Sequence, residues 1–132
     1  MRRNYLAIAA AFAGLGVILG AFGAHGLQKI TTDEKVLHGF QTAVQYQLYH
    51  SLALLSTSML ADKLNPRWSS WAATCFIVGI ILFSGSLYLL TYLNIEDSMA
   101  VKWVGPITPV GGLFFIAGWI SLLIAALNKG KS

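Results

Sequence analysis

YLAIAAAFAGLGVILGAFG, residues 5–23, runs for nineteen positions without a charge. A helix rises 1.5 Å per residue, so about 20 residues cross the ~30 Å hydrocarbon core of a bilayer. Three further apolar runs follow, at residues 40–60, 69–92 and 107–127. None alternates in segments of about ten residues, as the strands of a membrane barrel do. The pattern predicts an all-α protein, a four-helix transmembrane bundle with helices at about 5–23, 32–60, 69–92 and 107–127. Residues 1–132 then form a single integral membrane domain.

Composition supports this reading. Of 132 residues, 56% are hydrophobic and 11% charged, against roughly 45–50% and about 25% in soluble domains. With a mean hydropathy of +0.66, so short a chain cannot bury its apolar surface in water. A soluble globule, a disordered chain and a disulfide scaffold are excluded. The net charge of +4 comes from basic residues placed singly or in pairs between apolar runs. Nucleic-acid binding needs them clustered on one face, so none is expected. Cys75 is the single cysteine; it can form no internal disulfide and reads as a small buried hydrophobe.

Lys and Arg in short loops set orientation. Arg2, Arg3, Lys63, Arg67, Lys129 and Lys131 fall on one side, and Lys29, Lys35 and Lys102 on the other. Both termini are therefore expected in the cytoplasm, and the protein in a bacterial cytoplasmic (inner) membrane as a multi-pass chain. Trp68, Trp71, Trp103 and Tyr92 lie at span ends, where amphipathic rings favour the membrane–water boundary. The first run follows Arg2–Arg3 and carries a weak Ala-x-Gly cleavage site at Ala21–Gly23. It is longer than the 7–15 residues of a signal-peptide core, so it is expected to stay as the first helix.

Thr31 and Glu34 make a Thr-x-x-Glu capping box, which places the second helix start at Thr32. Gly39 is the expected bend. The first helix carries a ridge of small residues, Ala9, Ala13, Gly16, Gly20 and Ala24, and the fourth a similar face at Gly118, Ser121 and Ala125. Gly16, Gly20 and Gly118 are candidate helix-packing positions, because a missing side chain lets a neighbouring backbone approach. The neighbour can belong to this chain or to another.

The second span holds the candidate polar intramembrane cluster, Gln41, Gln45, Gln47, Tyr49, His50 and Ser51. At 100° per residue, His38, Gln41, Gln45, Tyr49 and Ser56 fall on one side. Gln47, His50, Ser51, Thr57 and Ser58 fall on the other. Unpaired amides in hydrocarbon cost several kcal/mol each, so this helix is expected deepest in the bundle or lining a cavity. His50, at mid-span, is a functional candidate for proton relay, metal or ligand contact. The alternative is a neutral imidazole donating to Ser84, Ser86 or a backbone carbonyl of a neighbouring helix. His38 and His50 stand twelve residues apart, about 18 Å along a helix, and cannot share an ion. No ligand set supports His25 with His38, so no metal and no cofactor is expected. Pro106, Pro109, Gly111 and Gly112 form a candidate broken-helix segment, whose plainer reading is a helix start shaped by proline.

Four segments in order, Ala21–Leu27, Phe40–Ser51, Phe83–Tyr88 and Gly105–Gly112, resemble the YgdD-type family of small four-helix membrane proteins, a domain of unknown function. The resemblance covers nearly the whole chain. It implies a multi-pass membrane protein with these polar segments as its signature, and no reaction.

No nucleophile–base pattern, phosphate loop or intramembrane carboxylate is present, so no enzymatic activity is expected. Three readings remain. The first is a structural or accessory component of a membrane complex, with the lipid bilayer, other membrane subunits or further copies as partners. The second is a small oligomeric transporter or channel subunit. The third is a lipid- or quinone-binding protein that uses the polar second helix.

Overall fold

The structure, a computed structural model, describes residues 2–128. Lys129 and Lys131 of the loop-charge count lie outside the described residues. Four long helices account for most of the chain: α1 (Arg2–His25), α2 (Glu34–Met59), α3 (Pro66–Ile95) and α4 (Ile107–Leu127). Short 3-10 turns at Leu27–Lys29 and Ala61–Lys63, and one helical turn at Val101–Val104, join them. No strand occurs among the described residues.

α1 outruns the expected 5–23 at both ends, since neither Arg2–Asn4 nor Ala24–His25 contains a helix breaker. The start of α2 differs from the capping-box reading. Asp33 is the N-cap, its carboxylate accepting from the Lys35 backbone N–H at 3.0 Å. The Thr31 hydroxyl accepts from the Asp33 N–H at 3.2 Å, a local turn that competes with a cap. A carboxylate at the positive end of the helix is the better cap, and it moves the start from Thr32 to Glu34. α2 then runs unbroken through Gly39.

α3 begins three residues before the expected Ser69, because Asn65 caps it and Pro66 stands at its first position, where proline's missing N–H is harmless. The Asn65 side-chain oxygen accepts from the N–H groups of Arg67 (3.1 Å) and Trp68 (3.3 Å). Its backbone N–H donates to the Ala125 carbonyl at 3.0 Å, and its amide nitrogen to the Asn128 carbonyl at 3.4 Å. One residue thus caps α3 and fastens the end of α4. Asn65→Ala is expected to lower stability by about 1–2 kcal/mol, read as a lower midpoint of thermal unfolding in mild detergent.

Irregular backbone occurs outside the candidate segment Pro106–Gly112. Pro106 sits in the turn before α4, and α4 is helical from Ile107 through Pro109, Gly111 and Gly112. Pro109 falls in the first turn, where backbone N–H groups have no intrahelical partner, so the helix is not broken. The break in regular α-geometry lies in α3, at the π-turn Ile80–Ser84, where the Gly85 N–H reaches back to the Ile80 carbonyl.

Neighbouring helices alternate in direction. Along α1 and α2, Gly16 meets Leu48, Gly20 meets Val44 and Gly23 meets Phe40. Along α3 and α4, Phe76 meets Gly118, Gly79 meets Phe115 and Phe83 meets Gly111. Ala9, Ala53, Leu54, Ala72, Ala73 and Phe76 form the core where α1, α2 and α3 converge. A second core at the opposite end joins Leu27, Phe40 and Val44.

Three stretches, Arg3–Lys29, Pro66–Ile95 and Val101–Leu127, are long and apolar enough to cross a membrane. α2 has the length but not the apolarity. Its polar residues are tolerated because one side of it is covered by α1, α3 and α4. Large apolar side chains stand exposed along the others, among them Val17, Ile18, Ile81, Leu113, Ile116 and Leu123, a surface suited to lipid and not to water.

Candidate functional site

The polar residues of α2 divide by side. Gln47 (2% exposed), His50 (5%), Ser51, Thr57 and Ser58 are buried. Gln41, Gln45, Tyr49 and Ser56 are exposed on the bundle surface. The sequence places α2 deepest in the bundle or along a cavity; in the structure Gln41 and Gln45 line an open groove against α1. α1 packs along one flank and α3 and α4 along the other, and the remaining side has no neighbour within the chain.

Gln47 bridges three helices. Its amide nitrogen donates to the Phe12 carbonyl of α1 at 2.7 Å, and its Oε1 accepts from the Tyr88 hydroxyl of α3 at 2.6 Å. A helix carbonyl is normally screened by the side chain four residues on. At Phe12 that position is Gly16, where a Cβ would lie 2.9 Å from Leu48 Cδ2 and 3.6 Å from the Gln47 amide nitrogen. The glycine both seats α2 and opens the carbonyl to the amide.

His50 sits in an aromatic cage. Its ring stacks on Phe115 with centroids 3.6 Å apart and planes 8° apart, with Phe76 and Trp119 at 5.8 Å. Trp119 Nε1 donates to His50 Nε2 at 3.0 Å, and Nδ1 lies 2.8 Å from the Tyr46 carbonyl. An Nε2 that accepts leaves Nδ1 as the protonated nitrogen, donating to Tyr46. Both ring nitrogens are therefore engaged in the neutral tautomer. Ser84 and Ser86, expected as partners, act elsewhere: Ser84 donates to the Ala43 carbonyl of α2 at 2.7 Å, and Ser86 bonds Phe83 and Thr108. Ser51 and Thr57 donate to carbonyls four residues back on α2. Among the described residues no buried side-chain nitrogen or oxygen lacks a partner.

His50→Phe is expected to keep the stack on Phe115 and lose one interhelical hydrogen bond. Trp119 is 47% exposed, toward lipid that offers its N–H no acceptor, so the loss should be about 1–2 kcal/mol. Size-exclusion chromatography should give an unchanged profile; aggregation of this variant would contradict the assignment.

The packing candidates all face inward. Gly16 and Gly20 receive α2, and Gly118 receives α3, a Cβ there lying 2.7 Å from Phe76. Cys75 is buried beside Gly118. Pro109 and Gly112 line a groove of about 440 Å³ with Tyr46, His50, Phe83 and Trp119, while Gly111 lies buried against Phe83. His25 and His38 are exposed, and no group of three potential metal ligands occurs among the described residues. The sequence reading missed Tyr88, Phe115 and Trp119. They stand in apolar runs, and nothing in their spacing marks them as partners of Gln47 and His50.

Fold and site together define a small all-helical membrane protein whose buried polar groups join its own helices. Residues 19–112 match the model for protein of unknown function DUF423. The chain belongs to this family. It is 44% identical over 125 residues to UPF0382 membrane protein YwdK of Bacillus subtilis, covering 94% of this chain and 96% of that one. It is 39% identical over 132 residues to a UPF0382 membrane protein of Haemophilus influenzae, covering 100% and 99%. Against UPF0382 inner membrane protein YgdD of Escherichia coli, identity is 37% over 136 residues, covering 100% and 98%. No solved structure matches the chain.

Proposed function

We propose that this protein is a non-enzymatic structural or accessory component of a complex in the bacterial cytoplasmic membrane, with all four helices crossing and both termini cytoplasmic. The observation that carries the reading is the engagement of the buried polar side chains. Gln47, His50, Ser51, Thr57 and Ser84 all hold helix carbonyls or neighbouring side chains, so none is left to act on a substrate. The four crossings are supported by the register of α2, which runs beside α1 from Gly23 down to Ala9 and so traverses the same depth. The inner-membrane placement is supported by the printed name of the Escherichia coli relative.

Native mass spectrometry of the tagged protein, expressed at its natural level and extracted in mild detergent, tests this. Masses containing other membrane subunits support the accessory role. A chain carrying a small molecule and no other subunit overturns it in favour of lipid or quinone binding. That second reading is supported by the aromatic groove of about 440 Å³ beside His50, open at a face that lipid can reach.

A further inference from the structure

With α2 crossing the membrane as proposed above, on which this inference rests, Gln45 is an exposed amide at hydrocarbon depth. Its neighbour Val44 packs on Gly20, about six residues or ~9 Å from the middle of α1 and inside the ~15 Å half-thickness of a bilayer. Gln41 lies one turn further out, beside the level of Gly23. Neither side chain has a hydrogen-bond partner among the described residues, and both are exposed. Gln41, Gln45, Tyr49 (56% exposed) and Leu52 (55%) continue as one stripe, recurring every three or four residues as in a helix–helix seam. Facing acyl chains, each unpaired amide costs several kcal/mol.

We propose that this stripe is the interface between two copies of the chain, α2 against α2, with Gln45 paired to Gln45 across a two-fold axis. The stripe carries no charge, so its complement need carry none. A carboxamide holds one donor group and one acceptor and is complementary to itself. Two copies inserted in the same orientation are related by an axis along the membrane normal, which brings each residue to its own counterpart at its own depth. Gln41 meets Gln41 and Tyr49 meets Tyr49 by the same operation. A groove of about 360 Å³ between Gly20, Gly23 and Ala24 of α1 and the two glutamines gives the partner's side chains room to interdigitate. The pairing does not depend on whether further subunits join the complex.

Single cysteines test it in intact membranes. In a Cys75→Ser background, Gln45→Cys and Tyr49→Cys are oxidised with copper phenanthroline and compared with Ile116→Cys. Ile116 is also exposed to lipid, next to Phe115, which packs on Tyr46 and so lies at the depth of Gln45. The expected result is a band at twice the chain's mass for at least one of the α2 variants and for none at Ile116. In mild detergent the wild-type chain should sediment as a dimer, and Gln45→Leu should weaken it roughly tenfold, the loss of one or two interhelical hydrogen bonds. The proposal is overturned if both α2 cysteines cross-link no better than Ile116→Cys. A cross-link to a polypeptide of another mass, without the doubled band, overturns it as well and gives the stripe to a different partner.

Discussion

Gly111→Leu should abolish the folded bundle, and Gly111→Ala should lower its stability by about 1–3 kcal/mol or more. At most glycines here the nearest atom to an added Cβ belongs to a side chain that can rotate. At Gly111 it is backbone: a Cβ would meet the Phe83 nitrogen and lie 2.7 Å from Phe83 Cα. Phe83 stands in the π-turn Ile80–Ser84, and on the same turn Ser84 holds the Ala43 carbonyl of α2. Moving the backbone away from α4 therefore strains a contact with α2. Gly112 supplies the comparison, since a Cβ there is 3.9 Å from its nearest neighbour, Phe83 Cδ2. Gly112→Ala should be neutral or slightly stabilising, as alanine favours helix over glycine. Thermal unfolding in mild detergent, followed by circular dichroism, reads both. Equal midpoints for the two alanine variants would show that the close approach exerts no constraint.

Gln47→Leu should cost about 1–2 kcal/mol, because it removes interhelical bonds to both α1 and α3 and leaves the Tyr88 hydroxyl without its acceptor. Gly16→Leu should cost more, since it drives a side chain into Leu48 while screening the Phe12 carbonyl. The two changes share that carbonyl, so their effects are expected to fall short of additive. The double variant should be less destabilised than the two single losses together, by about 0.5–1.5 kcal/mol. Strict additivity would mean that Gly16 only provides space and has no part in the bond from Gln47 to Phe12.

Most of the helical content was legible because it rests on local rules. The charge-free runs and the short polar breaks place α1, α3 and α4 within a few residues of where they lie. Spacing alone marks Gly16, Gly20 and Gly118 as candidate packing positions, but it does not say whether they face this chain or another. The start of α2 was misread because Thr31 and Asp33 both offer caps within three residues, and the ranking of a carboxylate over a hydroxyl decided between them. The Pro106–Gly112 segment admits two readings, a broken helix or a proline-shaped helix start, because proline and glycine are local signals that fit both. The π-turn at Ile80–Ser84 has no such signal: it is an apolar stretch whose irregularity fits the approach of Gly111 and the reach of Ser84.

Chain chemistry by itself determined that this is a helical membrane protein with one helix too polar to stand alone in lipid. Hydropathy and the 1.5 Å rise per residue are properties of single segments, so a linear reading captures them. Which side of α2 is covered could only be decided in three dimensions. At 100° per residue both sides of that helix are polar, and nothing along the chain ranks Gln47 and His50 above Gln41 and Gln45. Tertiary structure ranks them by supplying partners from other helices, the Phe12 carbonyl, Tyr88 and Trp119, to one side and none to the other. Hydrogen bonds between residues tens of positions apart depend on the relative placement of whole helices, and that placement is set by the side chains that seat on Gly16 and Gly118 and by the backbone that approaches Gly111.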